Sequence, residues 1–159
     1  VVHLRKLRCQ GNIYLVRHGQ SSGCVSSIIK GRRNLPLSLQ GRIQAEKTGS
    51  WFSSRNIQTL ISSPLKRAME TAETIAAHCG ISTIHTLPEL IELDTGILTG
   101  LSVSEAEHKF PQAWRTFKQK SWDGVPGAEH SRSLLKRFNS GANCAPERKQ
   151  THGYMCIKR

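Results

Sequence analysis

The sequence predicts an α/β domain built on a parallel, doubly wound sheet. Three observations carry that prediction. A short apolar run with β-branched Ile13 and Val16 reads as a buried strand that stops abruptly at Arg17-His18-Gly19. A strand–helix–strand–helix–strand alternation follows in order, the pattern that sets parallel strands side by side through helical crossovers. The chain has 159 residues, enough for one domain with its own core.

Taken in order, residues 1–11 read as an N-terminal extension. Its cations Arg5, Lys6 and Arg8 are not followed by an apolar stretch and a small-residue cleavage site, so no signal peptide is expected. The first strand occupies 12–16. Residues 19–37 form a long loop of Gly, Ser and basic residues, broken by Gly31 and Pro36, and loops of that length are usually functional. Ser38 is placed to cap a helix from Leu39, whose apolar side would include Leu39, Ile43, Ala45 and Phe52. Gln58 to Ser62 reads as a second strand. Pro64 then opens a helix capped by Ser62 or Ser63, with a stripe of Leu65, Ala68, Met69, Ala72, Ile75 and Ala76 and a terminating Gly80. Ile81 to Leu87 supplies a third strand. Beyond it, Ser102 and Glu105 make a capping box for a short helix, Pro111 opens another through Lys120, and Glu129 to Phe138 reads as a basic helix. Residues 139–159 show no clear periodicity.

Lys and Arg number 23 against 11 Asp and Glu, a net charge of +12. Such an excess favours anionic partners. The charge is dispersed, with no long basic run, zinc-finger spacing or aromatic-rich RNA-binding signature, so nucleic acid is not the expected partner. No apolar run is long enough to span a bilayer, so no membrane partner is expected either. Most of these charges, Arg32 and Arg137 included, read as solvated surface. Arg17 and Arg67 are the exceptions, because each lies just past a predicted strand end, where open α/β sheets bind ligands. The five cysteines (Cys9, Cys24, Cys79, Cys144 and Cys156) are odd in number and scattered, which favours reduced thiols in a cytoplasmic protein. Cys144, His152 and Cys156 are irregularly spaced, so no metal site is expected from them.

Four segments stand in a telling order: Leu15-Val16-Arg17-His18-Gly19, Leu35-Pro36-Leu37-Ser38 through Ala45, Ile61-Ser62-Ser63-Pro64-Leu65-Lys66-Arg67-Ala68-Met69-Glu70-Thr71-Ala72, and Leu90-Ile91-Glu92-Leu93-Asp94-Thr95-Gly96. With Pro126-Gly127-Ala128-Glu129 as a weaker fifth, they resemble the histidine phosphatase superfamily, in its phosphoglycerate-mutase-like branch. The resemblance covers 12–138, taken as a histidine phosphatase-like domain, and leaves 139–159 as a divergent tail. It implies a three-layer α/β/α sandwich, a mostly parallel sheet with helices on both faces.

The resemblance also implies roles. His18 would be the nucleophile, forming a phosphohistidine that water hydrolyses. Its other ring nitrogen would donate to a backbone carbonyl, fixing the neutral tautomer. Arg17 and Arg67 would offer planar forks to the phosphate oxygens. Glu92 would be the general acid, with a pKa raised beside the phosphate. Gln20 and Ser21 would hydrogen-bond substrate or phosphate. The implied activity is hydrolysis of a phosphorylated small molecule, a phosphomonoester, with no metal or other cofactor. Two alternatives stand beside it: mutase-type phosphoryl transfer, and a catalytically impaired phosphate- or anion-binding protein.

The chain departs from the family pattern in places. Gly23 and Cys24 stand where the family has Trp-Asn, and Asn34 replaces an acidic residue. The family's last core strand and helix, with a second active-site His in a Thr/Ser-His-Gly turn, have no clear counterpart. Thr151-His152-Gly153 is the one match, preceded by polar residues 146–150. Either His152 is the second phosphate-binding imidazole, or the tail is altered and the last strand and helix of the core are missing.

Overall fold

A computed structural model of the chain describes residues 12–24, 28–143 and 153–158. In chain order the elements are β1 (Ile13–Arg17), α1 (Leu39–Phe52), β2 (Ile57–Ser62), α2 (Lys66–Cys79), β3 (Ile84–Thr86), α3 (Val103–Lys109), α4 (Pro111–Lys118), α5 (Ser131–Asn143) and β4 (Gly153–Lys158). The strands form a single sheet in the order β1-β4-β2-β3, and every pairing is parallel. The expected α/β fold with a parallel sheet is therefore present. Among the described residues, no helix is long and apolar enough to cross a membrane.

β4 supplies the last core strand, which the sequence left open between presence and loss. It lies between β1 and β2, with Ile13 opposite Tyr154 and Arg17 opposite Lys158 on one side, and Leu60 opposite Met155 on the other. The physical reason lies in the crossover. The connection from β1 through α1 to β2 leaves one strand position open between them, with two rows of unpaired N–H and C=O groups facing it. Tyr154-Met155-Cys156-Ile157 is an apolar run of the right length to fill it. The polar residues before that run obscured it in the sequence.

α1 begins as expected, with Ser38 Oγ accepting the Gly41 N–H at 3.1 Å. Its buried side is the expected one only at Ala45 and Phe52. Gly41, Ala45, Gly49 and Phe52 face inward, whereas Leu39 and Ile43 are 78% and 42% exposed. Close approach decides the choice. A Cβ on Gly41 would lie 2.0 Å from Gln20 O, and one on Gly49 would lie 2.4 Å from the His78 ring of α2, so only small side chains fit this face.

α2 buries the predicted stripe through Ala68, Ala72, Ile75 and Ala76. It ends at Gly80 in the left-handed region, φ +66. Its N-cap differs from the expectation. Leu65 occupies that position with no side-chain bond, and Asn34 from the preceding loop accepts the Lys66 N–H at 2.6 Å instead. β3 is shorter than predicted and α5 starts two residues later. The Ser102–Glu105 capping box of α3 is complete.

One core cluster joins Phe52, Ile57, Leu60 and the α2 stripe, with Tyr14 and Val16 packed against it. Burying a residue the size of Ile75 contributes about 1.5–3 kcal/mol. Both α1 and α2 thus sit on the Tyr14 and Val16 side of β1, while Ile13 and Leu15 on the other side are exposed. A second cluster of Ile29, Leu98, Ala106, Ala113 and Val125 ties the long loop to α3 and α4.

Candidate active site

In a parallel sheet all strands point one way, so β1 and β2 deliver their last residues to one edge. β1 ends at Arg17, and His18 and Gly19 follow. β2 ends at Ser62, and four residues later α2 begins, placing Arg67 in its first turn. Two backbone contacts fix the turn after β1. Gly19 packs so tightly on α1 that a Cβ there would lie 2.4 Å from Gly41 O. The Gly19 N–H donates to Thr71 Oγ1 at 3.2 Å, and Thr71 Oγ1 in turn donates to Arg67 O at 2.7 Å.

The imidazole of His18 is held at both nitrogens. Arg67 Nε donates to His18 Nε2 at 3.0 Å, and His18 Nδ1 lies 2.6 Å from Gly19 O. An arginine can only donate and a carbonyl can only accept, so Nε2 carries the lone pair and Nδ1 carries the proton. This is the tautomer the sequence argument requires. Burial, and then the charges of Arg67, Lys30 and Arg17, lower the His18 pKa to about 4 against the opposing pull of the Gly19 carbonyl. The ring is therefore neutral at physiological pH.

Arg67 is 2% exposed. Its Nη1 donates to Arg33 O at 2.8 Å and its Nη2 to Gly31 O at 3.3 Å, so the same guanidinium that meets His18 also grips the long loop. Between those two carbonyls lies Arg32, whose Nε donates to Glu92 O at 3.1 Å. Glu92 is joined to the His18–Arg67 pair through this loop. Its carboxylate turns onto its own backbone, accepting the Leu93 N–H at 2.8 Å. Arg17 is exposed and, with His18, lines a cleft of about 370 Å3 whose far wall is made by Gln44 and Thr48 of α1 and Thr71 of α2.

Gln20 serves the fold: its N–H donates to Gln44 Oε1 at 2.8 Å, and its side-chain oxygen accepts from Ser38 Oγ at 2.7 Å. Ser21 is fully buried, and its Oγ has no hydrogen-bond partner. His152 lies outside the described residues. Its chain neighbour Gly153 opens β4 at the end of the sheet where β1 begins, whereas His18 follows the end of β1. Among the described residues, no group of three His, Cys, Asp or Glu side chains is placed to hold a metal.

Sequence reasoning missed Thr71, Arg32 and Arg137. Thr71 stands in the third motif segment, one turn after Arg67, but nothing in the sequence gave it a role. Arg32 and Arg137 read as surface cations, yet both reach Glu92 O, Arg137 through Nη2 at 3.3 Å. Their partner Glu129 sits in the weakest of the five motif matches.

A family model described as "Histidine phosphatase superfamily (branch 1)" matches residues 13–157. Phosphoglycerate mutase-like protein 4 of Arabidopsis thaliana is 36% identical over 125 residues, covering 77% of this chain and 54% of its own. Probable phosphoglycerate mutases of Proteus mirabilis and Salmonella choleraesuis are 35% and 33% identical, and this chain spans 54% to 62% of the length of these three curated relatives. Among solved structures, the mycobacterial glucosyl-3-phosphoglycerate phosphatase superposes with a TM-score of 0.75 at 22% identity, covering 91% of this chain and 72% of that one. The α-ribazole phosphatase of Shigella flexneri gives a TM-score of 0.81 at 18% identity, covering 92% and 73%. At those identities the two structures speak to the fold.

Proposed function

The chain belongs to the histidine phosphatase superfamily, branch 1, and we propose that it hydrolyses phosphomonoesters of small molecules through a phosphohistidine on His18. The observation that carries this reading is the neutral imidazole with its lone pair on Nε2, set beside a buried guanidinium. A nucleophile at phosphorus needs a free lone pair, and the phosphoryl oxygens need fixed positive charge.

In the first step Nε2 bonds to phosphorus as the ester P–O bond breaks. Glu92 gives its proton to the departing alkoxide. Before attack, the Arg67 Nε–H leaves Nε2 for a phosphoryl oxygen while its Nη groups keep Arg33 O and Gly31 O, and Arg17 adds its fork from the cleft. In the second step the Glu92 carboxylate takes a proton from water, the water oxygen bonds to phosphorus, and the N–P bond breaks to release inorganic phosphate. Gln20 lines the cleft beside His18.

Release of phosphate from an aryl phosphate, abolished in His18→Ala, tests the reading. The mutase reading is favoured by the name of the Arabidopsis relative. It predicts instead movement of phosphate between positions of a phosphoglycerate. An anion-binding protein without turnover would bind inorganic phosphate, with affinity falling steeply as salt rises, and release none from either substrate.

A further inference from the structure

We propose that Arg32, Glu129 and Arg137 are positioning residues for Glu92, clamping its backbone so that the acid keeps a fixed place relative to His18. The inference rests on the reading of Glu92 as the acid. Arg137 of α5 meets Glu129 with two parallel bonds, Nε to Oε1 at 2.6 Å and Nη2 to Oε2 at 2.7 Å. Arg32 reaches the same carboxylate from the opposite loop, Nη2 to Oε2 at 3.2 Å. The Glu129 and Arg137 side chains are 11% and 18% exposed, so these charges are largely out of water. The hydrogen bonds from Arg137 hold the Glu129 carboxyl below the usual carboxylate range, which keeps the cluster ionised.

Where the two guanidinium groups point is the informative part. Both donate to one acceptor, Glu92 O, Arg32 at 3.1 Å and Arg137 at 3.3 Å. Arg137 also donates to Glu89 O at 2.6 Å, and the Glu129 N–H donates to Asp94 O at 3.0 Å. The backbone from 89 to 94 is thus pinned on both sides of Glu92 and at Glu92 itself. A clamp serving only to dock α5 would be complete at Glu89 and Glu129. The Arg32 arm adds a second link, since Arg32 sits between the two carbonyls that Arg67 grips. An unbroken chain of hydrogen bonds and peptide links therefore runs from His18 Nε2 through Arg67 and the 31–33 loop to Glu92 O.

General acid catalysis matters for a poor leaving group and hardly at all for one stable as the free anion. The experiment compares kcat/KM for phenyl phosphate and 2,4-dinitrophenyl phosphate in the full chain, with inhibition by inorganic phosphate measured beside it. Glu92→Gln is expected to lower the phenyl value about 100-fold or more while the dinitrophenyl value stays within about 3-fold. Arg137→Lys, Glu129→Gln and Arg32→Lys are each expected to reproduce that selectivity at about 10-fold to 100-fold, with phosphate inhibition unchanged. A Glu92→Gln enzyme that loses both substrates equally overturns the acid reading and this inference with it. A selective Glu92→Gln enzyme beside cluster variants that lose both substrates equally, or that all fail to unfold cooperatively, overturns this inference alone.

Discussion

Gly41→Ala is the sharpest probe of how α1 carries the strand-end turn. In most exposed helix interiors this substitution stabilises, by about 1 kcal/mol of helix propensity. Here the new Cβ would lie 2.0 Å from Gln20 O and 2.9 Å from Gln20 C, both main-chain atoms that cannot swing aside. Overpacking of this kind costs about 1–3 kcal/mol, and a backbone carbonyl puts it near the upper end, about 3 kcal/mol. The propensity gain offsets about 1 kcal/mol. The net is a destabilisation of about 2 kcal/mol, which in a chain of this size lowers Tm by about 4–8 °C. Gly49→Ala is the control. Its nearest obstacle at 2.4 Å is the His78 ring, a side chain that can rotate away by breaking its bond to Glu46, so a smaller drop is expected. Thermal unfolding followed by circular dichroism reads both variants. A Gly41→Ala protein with Tm equal to or above the parent would refute the close packing of α1 on Gly19 and Gln20.

Two further outcomes follow from the same geometry. Thr71→Val leaves the buried Gly19 N–H without its acceptor, at about 1–3 kcal/mol. It should lower both Tm and phosphate release, whereas Thr71→Ser should restore both. The pH dependence follows from the depressed His18 pKa. Folding opposes protonation of this ring, so the neutral nucleophile persists as pH falls through 6.5 and is lost only near the folded value of about 4. The acidic limb of kcat/KM assigned to His18 should fall near pH 4, with stability also declining between 6.5 and 4. A limb at 6.5 that disappears in no other variant would contradict the buried, cation-flanked ring.

The convergence of His18 and Arg67 was legible in the sequence because it follows from topology. Parallel strands gather their ends, and each residue lies just past a strand. The Ser38 cap, the α2 stripe and the Ser102–Glu105 box were legible because local rules govern them. The buried face of α1 was legible only at Ala45 and Phe52. Hydrophobic spacing weights large side chains, and this helix buries Gly41, Ala45 and Gly49 because a strand-end turn and His78 press against it. β4 was hidden because an apolar run of four residues after a polar stretch carries little signal until two strands with open ladders flank it. The clamp on Glu92 was out of reach for a different reason. Arg32 and Arg137 lie 105 positions apart in the chain, and only the fold brings both to one carbonyl. Asn34 belongs to the same class: a departure from the family pattern, it supplies the cap that Leu65 cannot.

Trapping the covalent intermediate tests the central claim most directly. The chain is mixed with a 32P-labelled phosphomonoester and quenched in alkali, where a phosphohistidine survives and a phosphoserine does not. The account predicts label on the protein that is stable to alkali and lost in acid, bound at Nε2 of His18 and absent from His18→Ala. Turnover without any such label, or label that persists in His18→Ala, would contradict it.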